Sequence, residues 1–291
     1  MAYYRDVREY LNALEAAGKL VRIKQPINKD TEMHPLVRLQ YRGLPEEHRR
    51  AFFFEKVIDI KGRSFEIPVA VACYAGNLDI YALGMQCKKE EIYDKWTRAQ
   101  SYPVEPVEVR SAACQERVIS GNELEQRGLD MLPVPISTPG FDNGPYTTSS
   151  HFVTRDPETG QYNMGNYRGQ IKAADRMGCY AGNFSGLRTH WNKCQARKQP
   201  LEVACVIGVP PNLSYAAVAR IAPELSEFGV AGASLASRLS WRGAKASIYL
   251  YRHNRRLSSK GLFRLVKASG KDRSANSLVT WPTKDWVFLS T

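Results

Sequence analysis

The stretch that most constrains this chain is a hairpin near its middle. Thr147-Thr-Ser-Ser-His151-Phe-Val-Thr-Arg-Asp156-Pro-Glu-Thr-Gly160 reads as a strand running into an Asp-Pro-x-x-Gly reversal. Proline presets φ for the turn, and glycine supplies the positive φ that closes it. Asn163-Met-Gly-Asn-Tyr-Arg168 is then the returning strand. Side chains alternate along a strand, so Asn163, Gly165 and Tyr167 share one face while Asn166 and Arg168 share the other. Gly165 lets a ligand approach the backbone, and Arg168 carries a planar fork suited to a carboxylate or phosphate. On spacing alone two readings stand: an ordinary hairpin whose arginine snorkels to water, or the floor of a ligand site.

At 291 residues the chain is long enough for about two domains with real cores. It contains no apolar run approaching the roughly 20 residues of a membrane span. Its opening Met-Ala-Tyr-Tyr-Arg-Asp lacks the pattern of a secretion signal, so the expected location is the cytoplasm. Cys73, Cys87, Cys114, Cys179, Cys194 and Cys205 form no C-x-x-C pair, which argues against a zinc site and against a disulfide scaffold. The net charge of +12 is unevenly placed: residues 234–291 hold 12 Lys and Arg against two acids, and the preceding 233 residues hold 29 against 27. The first 233 residues therefore carry no electrostatic signature of a nucleic-acid partner.

Taken in order, Asp6 caps a helix through Leu14 that Gly18 ends, and Leu20–Ile23 follows as a strand. Met33–Tyr41 reads as a second helix, with His34 taken as a surface residue. Ala51–Phe54 and Ile67–Ala72 suit buried strands, and Glu90–Gln100 a helix. Ser101–Glu108, with two prolines, is the best linker, and a second domain is expected to begin near Val107. Ser137-Thr-Pro-Gly-Phe-Asp-Asn-Gly-Pro145 is a pocket wall or a plain surface loop. Thr189–Lys198 reads as a basic amphipathic helix and Leu201–Val209 as a buried strand. Asn212 is expected to cap a helix running through Ala219, and such a strand–turn–helix junction can meet a phosphate with its N–H groups.

Four motifs stand in one order: Thr147 to His151, Asn163 to Arg168, Gly208-Val-Pro-Pro211 and Leu225-Ser-Glu227. Together they resemble the UbiD-type, prenylated-flavin-dependent decarboxylases over residues 1–233. The resemblance implies an α/β (α+β) fold. An N-terminal mixed α/β domain over 1–106 would be followed by a split flavin-reductase-like β-barrel over 107–233, cut short at its C-terminal end. It implies reversible non-oxidative decarboxylation of an aromatic or α,β-unsaturated carboxylic acid, hydroxybenzoate-like, with prenylated FMN as cofactor. Mn2+ or Mg2+, assisted by K+, would tie the flavin phosphate to the protein. By position Asn163 and Glu227 match metal ligands, and hard oxygen donors suit these ions. The family's third ligand is a histidine in an H-x-G-G context. The matching segment here is Asn183-Phe-Ser-Gly186, with no histidine, and His190 lies nearby outside the motif. Thr147, Gly165, Asn166, Tyr167, Ala217 and Val218 match flavin-lining positions, and Arg168 matches the arginine that holds the substrate carboxylate. In such enzymes the cofactor carries the electronics, the protein positions the acid and excludes water, and a glutamate returns a proton. The implied partners are a carboxylic acid substrate, a flavin prenyltransferase that supplies the cofactor, and further copies in a homo-oligomer.

The resemblance stops after Gly229-Val-Ala-Gly232, where the family continues with G-E-P-V and then D-L-x-V-P-A-x-x-E-I-V-x-E-G, a stretch bearing acid–base glutamates. Residues 234–261 contain no glutamate. Taking each codon's third base with the next codon's first two, Leu235-Ala-Ser-Arg-Leu239 can encode Gly-Glu-Pro-Val. Ser247 to Gly261 can likewise encode Asp-Leu-Pro-Val-Pro-Ala-Gln-Ser-Glu-Ile-Val-Ile-Glu-Gly. Residues 234–291 are therefore expected to be an out-of-frame basic tail that packs poorly, with short apolar runs such as Ser247–Tyr251, on a protein of impaired activity. Two other classes fit parts of the sequence. Trp241, Tyr249, Tyr251 and Trp286 among the tail's arginines fit a nucleic-acid-binding appendage on a non-catalytic protein. The expected barrel also fits a flavin reductase, although no nicotinamide fingerprint supports one.

Overall fold

The computed structural model describes residues 3–104, 106, 117–119, 121–222 and 224–234, with the three short strands 262–264, 279–281 and 288–290. Cys114, Val107 and the tail aromatics Trp241, Tyr249, Tyr251 and Trp286 lie outside the described residues, as does the run Ser247–Tyr251. The N-terminal half alternates helices and strands. It runs α1 (Val7–Ala16), β1 (Leu20–Ile23), β2 (Ile27–Asn28), α2 (Met33–Gly43), β3 (Ala51–Phe54) and β4 (Val57–Ile58). Then come β5 (Ser64–Phe65), β6 (Val69–Val71), α3 (Leu78–Met85) and α4 (Ile92–Ser101). The second half opens with β7 (Arg117–Ile119) and α5 (Gly121–Gln126), followed by β8 (Tyr146–Thr147), β9 (Ser150–Arg155), β10 (Tyr162–Asn166), β11 (Gly169–Ala173) and β12 (Arg176–Cys179). It continues through α6 (Gly186–Ala196), β13 (Val203–Ile207), α7 (Pro211–Val218) and α8 (Glu227–Ser234). β14 (Leu262–Arg264), β15 (Val279–Trp281) and β16 (Phe288–Ser290) complete the strands.

The mixed α/β class holds. β1, β3, β6 and β16 form one sheet, in which β1 runs parallel to β3 and β3 antiparallel to β6. In the second half the described pairings make a sheet β10–β9–β13 and a sheet β14–β12–β11–β8, and they do not trace a closed ring among the described residues. β14 pairs with β12 and β16 with β6, so two backbone segments of the basic tail extend these sheets, while a third, β15, pairs with β7 in a separate two-stranded sheet.

Local chemistry accounts for several boundaries. Asp6 caps α1 by accepting from the N–H groups of Arg8 and Glu9, and Val7, Tyr10, Leu11 and Leu14 bury one stripe of the helix. Asp6→Ala should lower stability by about 1 kcal/mol, read from chemical denaturation; an unchanged midpoint would show that the cap contributes nothing. The hairpin turn forms as its residues dictate: Asp156 Oδ1 accepts the Glu158 N–H at 2.8 Å, and Gly160 takes φ +77.

Three expectations need correction. The strand within Leu201–Val209, β13, is not buried: Val203, Ala204, Val206 and Ile207 are half-buried and Cys205 is exposed. His34 is only 4% exposed, because it sits beside Met33 and Val37 on the inner face of α2. Asn212 does not cap α7. Pro211 occupies the helix's first turn, where a missing N–H is harmless, and Pro210 stands at the cap. The Asn212 side chain turns inward, 3% exposed, and donates to the Ala231 carbonyl at 3.1 Å.

The main core crosses the linker. Met33, Val37, Phe54, Val57, Val69 and Val71 pack in one cluster with Ile119, Leu124, Leu129, Leu132, Val134, Phe152 and Met177. A tyrosine chain ties the N-terminal half to α7: the Tyr74 hydroxyl donates to the Val209 carbonyl at 2.6 Å, and the Tyr215 hydroxyl to the Tyr74 carbonyl at 2.8 Å. Each buried phenol thus satisfies a carbonyl that burial would otherwise leave unpaired. β9 lies at the centre of its sheet, with Ser150 to Thr154 all buried, and this rigid strand positions β10.

Candidate functional site

The site grows from the free edge of β10. β10 pairs with β9 on one side only, so its outward N–H groups need partners from elsewhere. Glu227, in the first turn of α8, supplies one by accepting the Met164 N–H through Oε2 at 3.1 Å. Burial raises the pKa of Glu227, opposed by the N–H groups of Glu227 and Met164. Among the described residues no cationic side chain pairs with this carboxylate.

Asn163 stands next to Met164, and its side chain lies against the start of α6. A Cβ on Gly186 would overlap the Asn163 amide, so only glycine permits that approach. Buried Nδ2 of Asn163 and Oδ1 of Asn166 have no hydrogen-bond partner. Two unpaired polar atoms on one five-residue strand are what a polar ligand would satisfy. Over Gly165 the structure places the ring of Tyr167, since a Cβ there would overlap it. The Tyr167 ring also meets Phe152 edge-on at 5.9 Å.

Thr147 is fully buried. Its Oγ1 lies 2.8 Å from Ser150 Oγ and 3.2 Å from the Gly169 N–H, and Ser150 Oγ donates to the Tyr167 carbonyl at 2.9 Å. Thr147 is thereby linked to the end of the Asn163–Arg168 segment. Ala217 packs with Val153, Met164 and Phe228 beneath β10, whereas Val218 is 63% exposed at the end of α7. Arg168 is half-exposed and leaves the strand. Its Cζ stacks 4.2 Å from the Tyr146 ring centroid, and Nη2 donates to Asp142 Oδ1 at 2.9 Å.

His190 reaches the same neighbourhood from α6 but is committed elsewhere. Its Nδ1 lies 2.8 Å from Thr154 Oγ1, the residue paired with Asn163 across the strands, and its Nε2 lies 3.7 Å from Asp156 Oδ2. Lys193 holds that same Asp156 oxygen at 2.7 Å. Burial alone would raise the Asp156 carboxyl, but the Lys193 ammonium and two backbone N–H groups hold it down at about 2. On the opposite face His151 donates from Nδ1 to the Val206 carbonyl at 3.4 Å, which leaves Nε2 to accept the Ser214 hydroxyl at 3.1 Å. Among the described residues no three His, Cys, Asp or Glu side chains gather as a metal cluster.

Asn163, Gly165 and Asn166 lie on β10, Glu227 meets its edge, Ala217 lies beneath it, Tyr167 and Arg168 stand at its end, and Thr147, on β8, reaches that end through Ser150. Asp142, Tyr146, Ser150 and Ser214 were not singled out from sequence. Asp142 and Tyr146 lie in or next to the Ser137–Pro145 loop, whose turn-forming composition hides any further role. The arrangement can seat an anionic ligand between a half-buried carboxylate-and-amide corner and an exposed guanidinium. A corner of that kind suits a cation shared with a phosphate, because Mg2+-type ions are commonly held by one or two carboxylates together with ligand phosphates and water.

The fold and this site define a mixed α/β protein with polar side chains gathered along an edge strand. The family model described as 3-octaprenyl-4-hydroxybenzoate carboxy-lyase N-terminal domain matches residues 11–100, and that of the carboxy-lyase Rift-related domain matches residues 105–248. The chain belongs to this carboxy-lyase family, UbiD. The second match runs past residue 233, into the stretch expected to be out of frame. The chain is 29% identical over 241 residues to the phenolic acid decarboxylase of Sedimentibacter hydroxybenzoicus, covering 79% of this chain and 48% of that protein. It superposes on the vanillic acid decarboxylase of the same organism in closed form with a TM-score of 0.72 at 27% identity, over 81% of this chain and 49% of the other. With an evolved dimeric form of the UbiD-class enzyme HmfF from Pelotomaculum thermopropionicum, in complex with prFMN, the TM-score is 0.69 at 28% identity, over 79% and 50%. The chain therefore spans about half the length of the relatives it matches. No helix among the described residues is long and apolar enough to cross a membrane.

Proposed function

We propose that this chain carries the flavin- and carboxylate-binding part of a reversible, non-oxidative decarboxylase of phenolic or α,β-unsaturated carboxylic acids, hydroxybenzoate-like, working with prenylated FMN in the cytoplasm. The observation that carries the reading is the β10 edge: a half-buried Glu227 without a cationic partner beside an Asn163 amide with an unpaired Nδ2, ending in a half-exposed Arg168. Asn163 and Glu227 would hold Mn2+ or Mg2+ at the flavin phosphate, with K+ assisting. Thr147, Gly165, Asn166, Tyr167, Ala217 and Val218 would line the flavin. When bound, prenylated FMN supplies an electron sink for the bond electrons left as CO2 departs. Arg168 binds and orients the substrate carboxylate through its planar fork. The carboxylate becomes neutral CO2, and a proton takes its place on the ring. Burial favours the neutral form of Asp142, but the Arg168 and Thr138 hydrogen bonds prevail and hold its carboxyl below the usual range. Asp142 is therefore ionised near neutrality and unsuited to give that proton. Matches to a phenolic acid decarboxylase and to a prFMN complex support this reading over a non-catalytic flavin- or nucleic-acid-binding protein.

The division into 1–106, 107–233 and 234–291, and a break of frame between about Gly232 and Leu235, belong to the same proposal. The proton-delivering glutamates would then be missing and turnover would be impaired. The implied partners are a flavin prenyltransferase and further copies of the intact protein. Co-expression with a flavin prenyltransferase, followed by mass spectrometry of the bound flavin and a CO2-release assay on 4-hydroxybenzoate, tests the reading. Flavin retained with little CO2 released is the expected result. A purified chain that holds no flavin sinks the binding role, and turnover equal to that of intact relatives sinks the impairment. The nucleotide sequence across the codons for Val230 to Leu262 decides the frame directly.

A further inference from the structure

We propose that Asp142 is a built-in counter-ion for Arg168, which competes with the substrate carboxylate for the guanidinium and reclaims it when that carboxylate is lost. The inference rests on the proposed role of Arg168 as carboxylate holder. Arg168 Nη2 donates to Asp142 Oδ1 at 2.9 Å, with the arginine side chain 51% exposed and the aspartate 13%. The aspartate is the fixed member of the pair. Its Oδ2 accepts the Thr138 N–H at 2.8 Å, and its own N–H returns to the Thr138 carbonyl at 2.9 Å. Arg38 clamps the start of the loop by donating to the Ser137 carbonyl and to Thr138 Oγ1 at 2.8 Å. Asn143 Oδ1 secures the other side, accepting from Gln170 Nε2 at 2.6 Å and from the Tyr146 hydroxyl at 2.9 Å. A loop tied down at Ser137, Thr138 and Asn143 presents Asp142 without freedom to withdraw, so the exposed arginine is the member that moves.

The chemistry gives this pairing a use. A carboxylate substrate plus a proton becomes CO2 and a protonated ring, ArCO2⁻ + H⁺ → ArH + CO2, so the anion that Arg168 holds at the start no longer exists at the end. An arginine left without a counter-ion would retain any anionic ligand. A fixed aspartate beside it offers the guanidinium one carboxylate oxygen, Oδ1, from within the chain. Asp142 is not needed to aim Arg168, because the guanidinium already stacks on Tyr146 at 4.2 Å. Competition, rather than orientation, is therefore the expected effect of the aspartate. For a half-exposed pair its size is modest, about two- to fivefold in the dissociation constant of a carboxylate ligand.

Titration calorimetry on the full 291-residue chain at low salt tests this, with 4-hydroxybenzoate as the anionic probe and methyl 4-hydroxybenzoate as the neutral one. Asp142→Asn keeps an oxygen for the Thr138 N–H and should bind 4-hydroxybenzoate about two- to fivefold more tightly, with the ester unaffected. Arg168→Gln should weaken the acid about tenfold or more, again sparing the ester, and adding Asp142→Asn to it should change nothing further. If Asp142→Asn fails to fold, Asp142→Ser serves in its place. Unchanged or weaker acid binding by the Asp142 variants, while Arg168→Gln still loses affinity, overturns the counter-ion alone. Equal binding by wild type and Arg168→Gln, or no acid binding by wild type, overturns the carboxylate role of Arg168 and this inference with it.

Discussion

Glu227→Gln should remove the response of this chain to a divalent cation and, in the cation-free protein, raise stability at neutral pH. Burial lifts the Glu227 carboxyl above its usual 4.5, outweighing the two backbone N–H groups that favour the charged form. An acid whose folded pKa is raised contributes stability below its unfolded pKa and loses that contribution as pH rises through the folded value. At neutral pH an ionised Glu227 without a cation therefore opposes folding. Glutamine keeps an oxygen for the Met164 N–H and carries no charge. The variant should accordingly unfold at higher temperature than wild type above pH 4.5, and the difference should vanish below it. A cation reverses the order. With FMN present and Mn2+ at a hundred times its dissociation constant, wild type should gain about 2.7 kcal/mol, and the variant only a small part of it. Thermal melts with and without Mn2+ read both effects. An equal Mn2+ response in the two proteins would show that Glu227 holds no cation.

Acid should destabilise the fold well above the range in which its carboxylates protonate. His34 and His151 are both buried. Burial, reinforced for His34 by the Arg38 charge, lowers each from 6.5 to about 4, while the Val206 carbonyl partly offsets the effect at His151. A base with a depressed folded pKa contributes stability above its unfolded value, and the contribution fades as pH falls through the folded one. The window is therefore pH 6.5 down to 4, with about 3 kcal/mol at stake for each histidine. Lowered acids such as Asp156, at about 2, act only below that window. Glu227 acts in the opposite sense and blunts the slope in the cation-free protein. Urea unfolding at pH 7 and pH 4.5 should show the loss, and the double variant His34→Gln/His151→Gln should be clearly less pH-dependent. An identical pH slope in the double variant would mean that both rings are already charged in the folded state.

Much of the site was legible because it is written in one short segment. Turn chemistry at Asp156, Pro157 and Gly160 predicts the hairpin, and alternation predicts which of Asn163 to Arg168 share a face. The Asp6 cap of α1 was legible for the same reason: donor and acceptor lie within three residues. Glu227 was placed by motif alone, 63 residues from the N–H it accepts. Where the expectation failed, the deciding partner was distant or the helical face was ambiguous. His34 was misread because a single polar residue on a periodic helix does not announce which way that helix turns. Asn212 was misread because its preferred acceptor, the Ala231 carbonyl, comes from another helix.

The sequence by itself determined the mixed α/β class, the hairpin, the main helices and strands, and the family to which the motifs point. These depend on backbone preferences and on periodicity, which act over a few residues. Only the tertiary structure decided that the core runs across the linker and that His190 belongs to Thr154 and Asp156. It alone decided that Arg168 already has a carboxylate in Asp142. Those outcomes depend on desolvation and on partners 26 or more residues away for Arg168 and His190, and neither is encoded by the local pattern.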